Sequence, residues 1–165
     1  MGSLFLKLKA SHRIGGDVQN MTSAGSPPQR AAQASVRILV VDDHEVMRMG
    51  IRNLLESKAG WHVSAEASNG KEAIEKALRE TPDVIIMDIT MPVMNGLDAA
   101  RQIATQSPGI PIVMFSLHLS EDLIEHFKTD GIRAAVAKGD AARDLVRAVE
   151  TVLTGGRFFP TRNRS

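Results

Sequence analysis

Two short apolar runs, each followed at once by aspartate, constrain the fold of this chain more than any other feature. Residues 38–41 read ILVV before Asp42 and Asp43, and residues 84–87 read VIIM before Asp88. The runs are continuously apolar rather than alternating, which is typical of parallel strands that are covered on both faces. Each aspartate therefore falls where a buried strand is predicted to reach solvent.

Five short strands of this kind are predicted, and amphipathic segments with helical spacing separate them. The strands are placed at Arg37–Val41, Trp61–Ala67, Val84–Asp88, Pro111–Phe115 and Ala134–Ala137. Strands that alternate with helices indicate an α/β protein, and right-handed crossovers make its sheet parallel and doubly wound. We therefore predict a five-stranded sheet in the flavodoxin-like order 2-1-3-4-5, with helices on both faces.

Polar residues ahead of the amphipathic segments predict where the helices begin. Asn69 with Glu72 fits a capping box for the second helix, because the side chain of each residue can accept a hydrogen bond from the backbone amide of the other. Asn95, Ser120 and Asp140 are predicted to cap the third, fourth and fifth helices.

Composition divides the chain into one domain and two tails. Residues 1–35 are predicted to be a disordered N-terminal tail, because Ser11–Ser35 mixes Gly, Ser, Pro, Gln and Ala without apolar periodicity. Residues 36–156 are predicted to form the single domain, and residues 157–165 a C-terminal tail.

Charge and residue usage exclude several classes of function. The net charge of +1 gives no general case for binding nucleic acid or membrane surfaces, and the absence of cysteine excludes disulfides and thiol catalysis. No apolar run approaches the roughly 20 residues that span a bilayer. We expect a soluble protein without a membrane partner.

The predicted sheet order brings the strand ends together. Asp42 and Asp43 follow the first strand, Asp88 ends the third, and Ser116 and Lys138 follow the fourth and fifth. Ligands of open α/β sheets bind outside these carboxyl ends. Two carboxylates about 4 Å apart repel by about 4 kcal/mol at an effective dielectric constant near 20, so the acidic cluster calls for a cation. Oxygen ligands at an open site suit Mg²⁺.

A carboxylate at such a site can act as a nucleophile toward a phosphoryl group. Asp88 is the best placed, because its strand is the most buried. Mg²⁺ and Lys138 would supply countercharge, and Ser116 a hydrogen bond to a phosphoryl oxygen. Taken singly, each residue also has a simpler interpretation: Asp43 as a helix cap, Asp88 as a turn residue, Ser116 as a strand-end hydroxyl and Lys138 as a solvated side chain.

The segments VVDDH, DVIIMDITMPVMNG, IVMFS and AVAKGD resemble the signature blocks of the receiver domain of bacterial two-component response regulators. The resemblance implies that Asp88 accepts a phosphoryl group from a sensor histidine kinase or a phosphotransfer protein. It also implies that Asp43 and Asp88 bind Mg²⁺ with the backbone carbonyl of Thr90, and that Asp42 assists. Such a domain is a cytoplasmic signalling switch rather than an enzyme.

Within that family, VDDHEVMRMG and GGRFF are most similar to the branch whose receivers precede a LuxR-type helix-turn-helix domain. Only residues 160–165 follow here, so we expect this chain not to bind DNA by itself. A further hypothesis is that the chain forms a homodimer through the face made by helix 4, strand 5 and helix 5.

Some positions depart from the family pattern. Ala135 stands where many receivers carry a switch Tyr or Phe, and Leu117 stands where a small residue is common. We interpret His44 and His118 as polar residues at the site's edge. These departures leave open a phosphorylation-independent interaction domain. A phosphatase of the haloacid dehalogenase type is disfavoured, because it needs aspartate where this chain has Thr90.

Overall fold

The computed structural model describes residues 35–160. The predicted N-terminal tail, apart from Ser35, lies outside the described residues, as do the last residues of the predicted C-terminal tail. Within the described range, five strands, five α-helices and one 3-10 turn follow one another: β1 (Val36–Val41), α1 (Glu45–Glu56), β2 (Trp61–Ala67), α2 (Gly70–Glu80), β3 (Val84–Asp88), α3 (Gly96–Gln106), β4 (Ile112–Ser116), α4 (Glu121–Thr129), β5 (Ala134–Ala137), the 3-10 turn (Lys138–Asp140) and α5 (Ala141–Leu153).

The strands form one parallel sheet in the order β2-β1-β3-β4-β5, which confirms the predicted fold. All five residues of β3 are buried at the centre of the sheet. Two strands begin one residue away from their predicted starts, β1 at Val36 and β4 at Ile112. The predicted doubly wound architecture is therefore observed almost residue by residue.

Helices cover both faces of the sheet, as the continuously apolar strands require. On one face, α1 and α5 bury Ile51, Leu55, Leu145 and Val149 against the sheet. On the other face, α2, α3 and α4 contribute mostly small side chains together with two large apolar ones, namely Ala73, Ala77, Ala99, Ala100, Ile103 and Phe127. In β1, β3, β4 and β5 alternate residues supply the two cores, so both faces of these strands are covered.

Three of the four predicted helix caps are confirmed. Asn69 accepts a hydrogen bond from the amide of Glu72 at 3.0 Å, and Asn95 and Ser120 cap α3 and α4 in the same way. The return bond of the predicted capping box is shifted by one residue, because the Glu72 carboxylate accepts from the Ser68 amide at 3.2 Å. The prediction for Asp140 is wrong, because its side chain makes no capping bond. The 3-10 turn holds its backbone at φ −104° and ψ 7°, whereas a capping residue needs an extended backbone.

One glycine fixes the distance between α3 and the end of β3. A β-carbon on Gly96 would lie 1.7 Å from the backbone carbonyl oxygen of Asp88, and the Gly96 amide donates to the carbonyl of Ile89 at 2.8 Å. The first turn of α3 therefore packs directly on the backbone of the residue that carries the central carboxylate.

Residues 157–159 differ from the tail that the sequence predicts. The Phe158 amide donates to the Arg133 carbonyl at 3.0 Å, and the Ala135 amide donates to the Phe158 carbonyl at 2.9 Å. Phe158 packs with the α1–α5 core and Phe159 with the α2–α4 core. The segment thus pairs with the outer edge of β5 and closes both cores there. No helix within residues 35–160 is long and apolar enough to cross a membrane.

Candidate functional site

The carboxyl ends of β1, β3, β4 and β5 surround an open pocket of about 410 Å³. Five of the predicted site residues line it: Asp43, Asp88, Thr90, Ser116 and Lys138. The sixth, Asp42, is fully buried and is connected to the pocket through Lys138. Since β1, β3, β4 and β5 are neighbours in the sheet, the strand order alone accounts for this gathering.

Lys138 joins two of the aspartates. Its Nζ lies 2.6 Å from Oδ2 of Asp42 and 3.1 Å from Oδ2 of Asp88. All three side chains are at most 7% exposed, so little water screens the two ion pairs. The arrangement holds the ammonium beside the Asp88 carboxylate.

In both Asp88 and Lys138, burial and the oppositely charged neighbours shift the pKa in opposite directions. Burial raises the pKa of Asp88 above its ordinary value, and nearby Asp42 adds to that effect, although Lys138 and the Ile89 amide favour the charged form. Burial by itself lowers the pKa of Lys138, but hydrogen bonds to Asp42 and Asp88 outweigh it, so the net shift is upward. Lys138 therefore remains an ammonium, and the cost of ionisation falls on Asp88.

Asp43 has an oxygen without a hydrogen-bond partner. Its Oδ1 is buried and forms no hydrogen bond, although Nδ1 of His44 lies 3.0 Å away in a geometry that does not make one. Asp43 does not cap α1, which begins at Glu45 after an N-cap at His44. A buried carboxylate oxygen of this kind is costly unless a proton or a cation reaches it.

Ser116, the last residue of β4, and the loop that follows it complete the pocket's rim. The Ser116 hydroxyl donates to the backbone carbonyl of His118 at 3.0 Å and accepts from the His118 amide at 3.3 Å. This loop therefore holds the hydroxyl that the sequence assigned to a phosphoryl oxygen. Leu117 lines the pocket and is 70% exposed.

His44 and His118 both lie at the edge of the site, as predicted. Each lines the pocket and is exposed, and the His44 side chain is 72% accessible. The His44 amide donates to Oδ1 of Asp42 at 2.8 Å, which closes the turn between β1 and α1.

Sequence reasoning missed one contact near the site. Arg48, in the first part of α1, donates from Nη1 to the backbone carbonyl of Asp42 at 2.8 Å. The signal available in the sequence was its position four residues after His44, on the helix turn above the acidic pair, since helical side chains lean toward the N-terminus.

The residues fit a divalent cation of the Mg²⁺ type. Asp42, Asp43 and His44 each place a ligand atom within 4.8 Å of the others, and Asp43 adds the unpartnered oxygen described above. Three carboxylates face one ammonium, which leaves the cluster negative when all are ionised. Mg²⁺ takes oxygen ligands and retains waters, so an open pocket with carboxylates on one wall suits it.

Comparison with known proteins agrees with this geometry. Residues 38–150 match the model of the response regulator receiver domain. The response regulator UvrY of Escherichia coli (strain K12) is 36% identical over 124 residues, covering 75% of this chain and 57% of UvrY. The chain thus spans a little over half the length of this curated relative.

Solved structures show the same fold. A two-component response regulator of the LuxR family from Aurantimonas sp. SI85-9A1 superposes with a TM-score of 0.72 at 34% identity, covering 75% of this chain and 89% of that one. The response regulator domain of Thermotoga maritima CheB gives 0.69 at 29% identity, covering 73% and 97%. The chain belongs to the receiver domain family of two-component response regulators.

Proposed function

We propose that this chain is a phosphorylation-dependent signalling switch in which Asp88 accepts a phosphoryl group from a sensor histidine kinase or a phosphotransfer protein. The observation that carries the proposal is the Asp88–Lys138 pair, 3.1 Å apart at the base of a pocket that is open to solvent. Asp88 is 4% exposed and is the carboxylate that ends the central strand. Receiver domains serve signalling rather than catalysis, so the chemistry is confined to gaining and losing this group.

In the transfer, one carboxylate oxygen of Asp88 attacks phosphorus as the bond from phosphorus to the donor breaks. Lys138 offsets the charge on the phosphoryl oxygens, and no proton has to be removed from a carboxylate nucleophile. Asp43, Asp88 and the Thr90 carbonyl are proposed to hold Mg²⁺, which adds countercharge when bound. Asp42 supports the site by pairing with Lys138.

Ser116 is proposed to contact a phosphoryl oxygen only after the group is attached. Its hydroxyl is engaged by the His118 backbone in the structure, so the loop after β4 must release it first. A phosphoryl group brings roughly two negative charges at neutral pH, which gives Ser116 a stronger acceptor than the His118 carbonyl. The movement of this loop is the proposed start of signal output.

The test is incubation with acetyl phosphate and Mg²⁺, followed by the intact mass of the protein. The wild-type chain should gain the mass of one phosphoryl group, and Asp88→Asn should gain none. Asp122→Asn, which changes an exposed aspartate at the start of α4, is the matched control and should label like the wild type. Undiminished labelling of Asp88→Asn would contradict the assignment.

A second candidate function is a phosphorylation-independent interaction domain. It is favoured by Ala135, which is fully buried and cannot supply the aromatic side chain that many receivers move on phosphorylation. Amide hydrogen exchange with and without a beryllofluoride mimic separates the two. Changed protection after β4 and along α4 supports the switch, and unchanged protection supports the constitutive domain.

A homodimer through α4, β5 and α5 is also proposed. The edge of β5 is already paired with Phe158, so the dimer has to use the helix faces rather than extend the sheet. Cytoplasmic localisation and the inability of this chain to bind DNA by itself remain part of the proposal. A gel-shift assay with duplex DNA at low salt tests the latter, because non-specific binding is strongest there.

A further inference from the structure

The loop between β1 and α1 places the two adjacent aspartates, and its backbone is held by one side chain from outside the loop. Arg48 donates from Nη1 to the Asp42 carbonyl at 2.8 Å. That carbonyl belongs to the peptide that joins Asp42 to Asp43. The orientation of this peptide plane sets the position of the Asp43 N and Cα atoms, from which the side chain projects.

Asp43 has little else to hold it. Its buried Oδ1 forms no hydrogen bond, whereas both carboxylate oxygens of Asp42 are paired, with Lys138 and with the His44 amide. The one ion-pair neighbour of Asp43 within residues 35–160 is the ring of His44, whose side chain is 72% exposed, so the direction of the Asp43 side chain depends mainly on its backbone.

Arg48 is itself anchored at its other edge. Its Nε donates to Oε2 of Glu66 at 2.8 Å, and its side chain is 17% exposed. Arg52, one turn further along α1, donates from Nε to the other oxygen of Glu66 at 3.0 Å. Burial raises the pKa of Glu66, but Arg52 and Arg48 outweigh it and the net shift is downward, so the anchor stays ionised.

From this geometry we infer that Arg48 is a positioning residue for the metal site: by fixing the Asp42–Asp43 peptide against β2, it aims Asp43 at the cation. The inference rests on the proposed function, since it assigns a role toward the proposed Mg²⁺ site. Groups that orient metal ligands typically change metal affinity about tenfold to one hundredfold when they are removed.

The sign of the effect separates positioning from simple charge. If Arg48 acted only through its positive charge, Arg48→Gln would leave the site more negative and would tighten Mg²⁺ binding. If it positions Asp43, the same change weakens binding. Arg48→Lys keeps the positive charge but loses one of the two hydrogen bonds, because a single ammonium cannot reproduce the geometry of two guanidinium nitrogens. If Arg48 positions Asp43, Arg48→Lys therefore also weakens Mg²⁺ binding.

Arg52→Gln is the matched control. It removes an arginine that lies on the same helix and contacts the same glutamate, Glu66. The other contacts of Arg52 are with Glu56 and the Val63 carbonyl, not with Asp42. If Arg48 contributed only to stability, Arg48→Gln and Arg52→Gln would change Mg²⁺ affinity to the same extent. Urea unfolding of both variants shows whether their stability losses are comparable.

The experiment is calorimetric titration of the full chain with MgCl₂, together with the amide nitrogen–proton spectrum of Asp43 without metal. We expect the Mg²⁺ affinity to be about tenfold or more weaker in Arg48→Gln and Arg48→Lys than in the wild type. In Arg52→Gln it should stay within about threefold of the wild type. The Asp43 amide signal should move only in the Arg48 variants. If Arg48→Gln does not fold, Arg48→Lys carries the comparison.

Unchanged or tighter Mg²⁺ binding by the Arg48 variants would overturn the inference, and so would an equal loss in Arg52→Gln. Either result leaves the proposed function standing if the wild type binds Mg²⁺ and is phosphorylated. A wild-type chain that binds no Mg²⁺ would instead overturn the proposed metal site and this inference with it.

Discussion

Replacing Gly96 by alanine tests how closely the start of α3 and the site are coupled. The added β-carbon would lie 1.7 Å from the Asp88 carbonyl oxygen and 3.0 Å from Cγ of Met87. Restoring even a tight separation of 3.0 Å requires α3 or the end of β3 to shift by roughly 1.3 Å. The backbone oxygen cannot swing away as a flexible side chain can.

The expected cost follows from three contributions. Overpacking costs about 1–3 kcal/mol, and a weakened hydrogen bond from the Gly96 amide to Ile89 adds about 0.5–1.5 kcal/mol. Alanine has lower backbone entropy than glycine in the unfolded chain, which stabilises the folded state by about 0.5–1 kcal/mol and offsets part of this cost. We therefore expect the free energy of unfolding to fall by about 2 kcal/mol, which moves the urea midpoint by roughly 1 M.

Urea denaturation followed by far-UV circular dichroism measures this loss, and titration with MgCl₂ reports whether Asp88 has moved. The control is Gly50→Ala, an exposed glycine within α1 with no atom within 4 Å of the added carbon. It should gain about 0.5–1 kcal/mol. A Gly96→Ala variant as stable as the wild type would refute the packing argument, and so would an equal loss in Gly50→Ala.

Three further predictions concern charge, strain and packing. Because the pKa of Asp88 is raised above 3.8, folding favours its neutral form more than the unfolded chain does, and stability is lost as pH rises through the folded pKa. Asp88→Asn should therefore be more stable than the wild type at pH 7 in the presence of a chelator. This gain in stability should shrink toward pH 4. A gain that grows on acidification would contradict this reasoning. Val93 is 82% exposed at φ 68°, a costly conformation for a β-branched residue, so Val93→Asn should stabilise by about 1 kcal/mol in urea unfolding, whereas the equally exposed helical Val46→Asn should not. Ala135→Phe should destabilise the protein by about 1–3 kcal/mol through overpacking. Pairing of Ala134 with Phe158 puts Ala135 and Phe159 on the same face of the sheet. Phe159→Ala should therefore relieve part of that cost, whereas Phe158→Ala should not. Equal relief by both phenylalanine variants in the double-mutant cycle would show that the two faces are not separate.

Local signals in the sequence were enough to predict most of the fold. The apolar runs that end at Asp42 and Asp88 located the central strands, and the caps at Asn69, Asn95 and Ser120 depend only on residues within one helical turn. The strand order then follows from general rules of chirality and connection. The juxtaposition of Asp88 with Lys138 is a consequence of that order, so it was predictable too.

The features that escaped prediction depend on contacts between distant parts of the chain. Phe158 pairs with β5 through only two backbone hydrogen bonds and joins a core built by other elements, so its own neighbours in sequence carry no strand signal. The contact of Arg48 with the Asp42 carbonyl depends on how α1 sits over the loop. Asp140 failed as a cap because it is the last residue of the 3-10 turn, which begins at Lys138 and gives Asp140 a backbone that is not extended.

The bonding of Ser116 illustrates the same limit at the site itself. Its place at the end of β4 was predictable, but the partner of its hydroxyl depends on the path of the following loop, which returns the His118 backbone to it. Strand patterns contain little information about such loop geometry.

The central claim is that Asp88 is the residue that becomes phosphorylated. The direct measurement is to treat the wild-type chain with acetyl phosphate and Mg²⁺, reduce the acyl phosphate with borohydride, and locate the product by peptide mass spectrometry. Reduction converts a phosphorylated aspartate to homoserine, so the account predicts homoserine at position 88 alone. Homoserine at position 42 or 43, or none at any position, would contradict it.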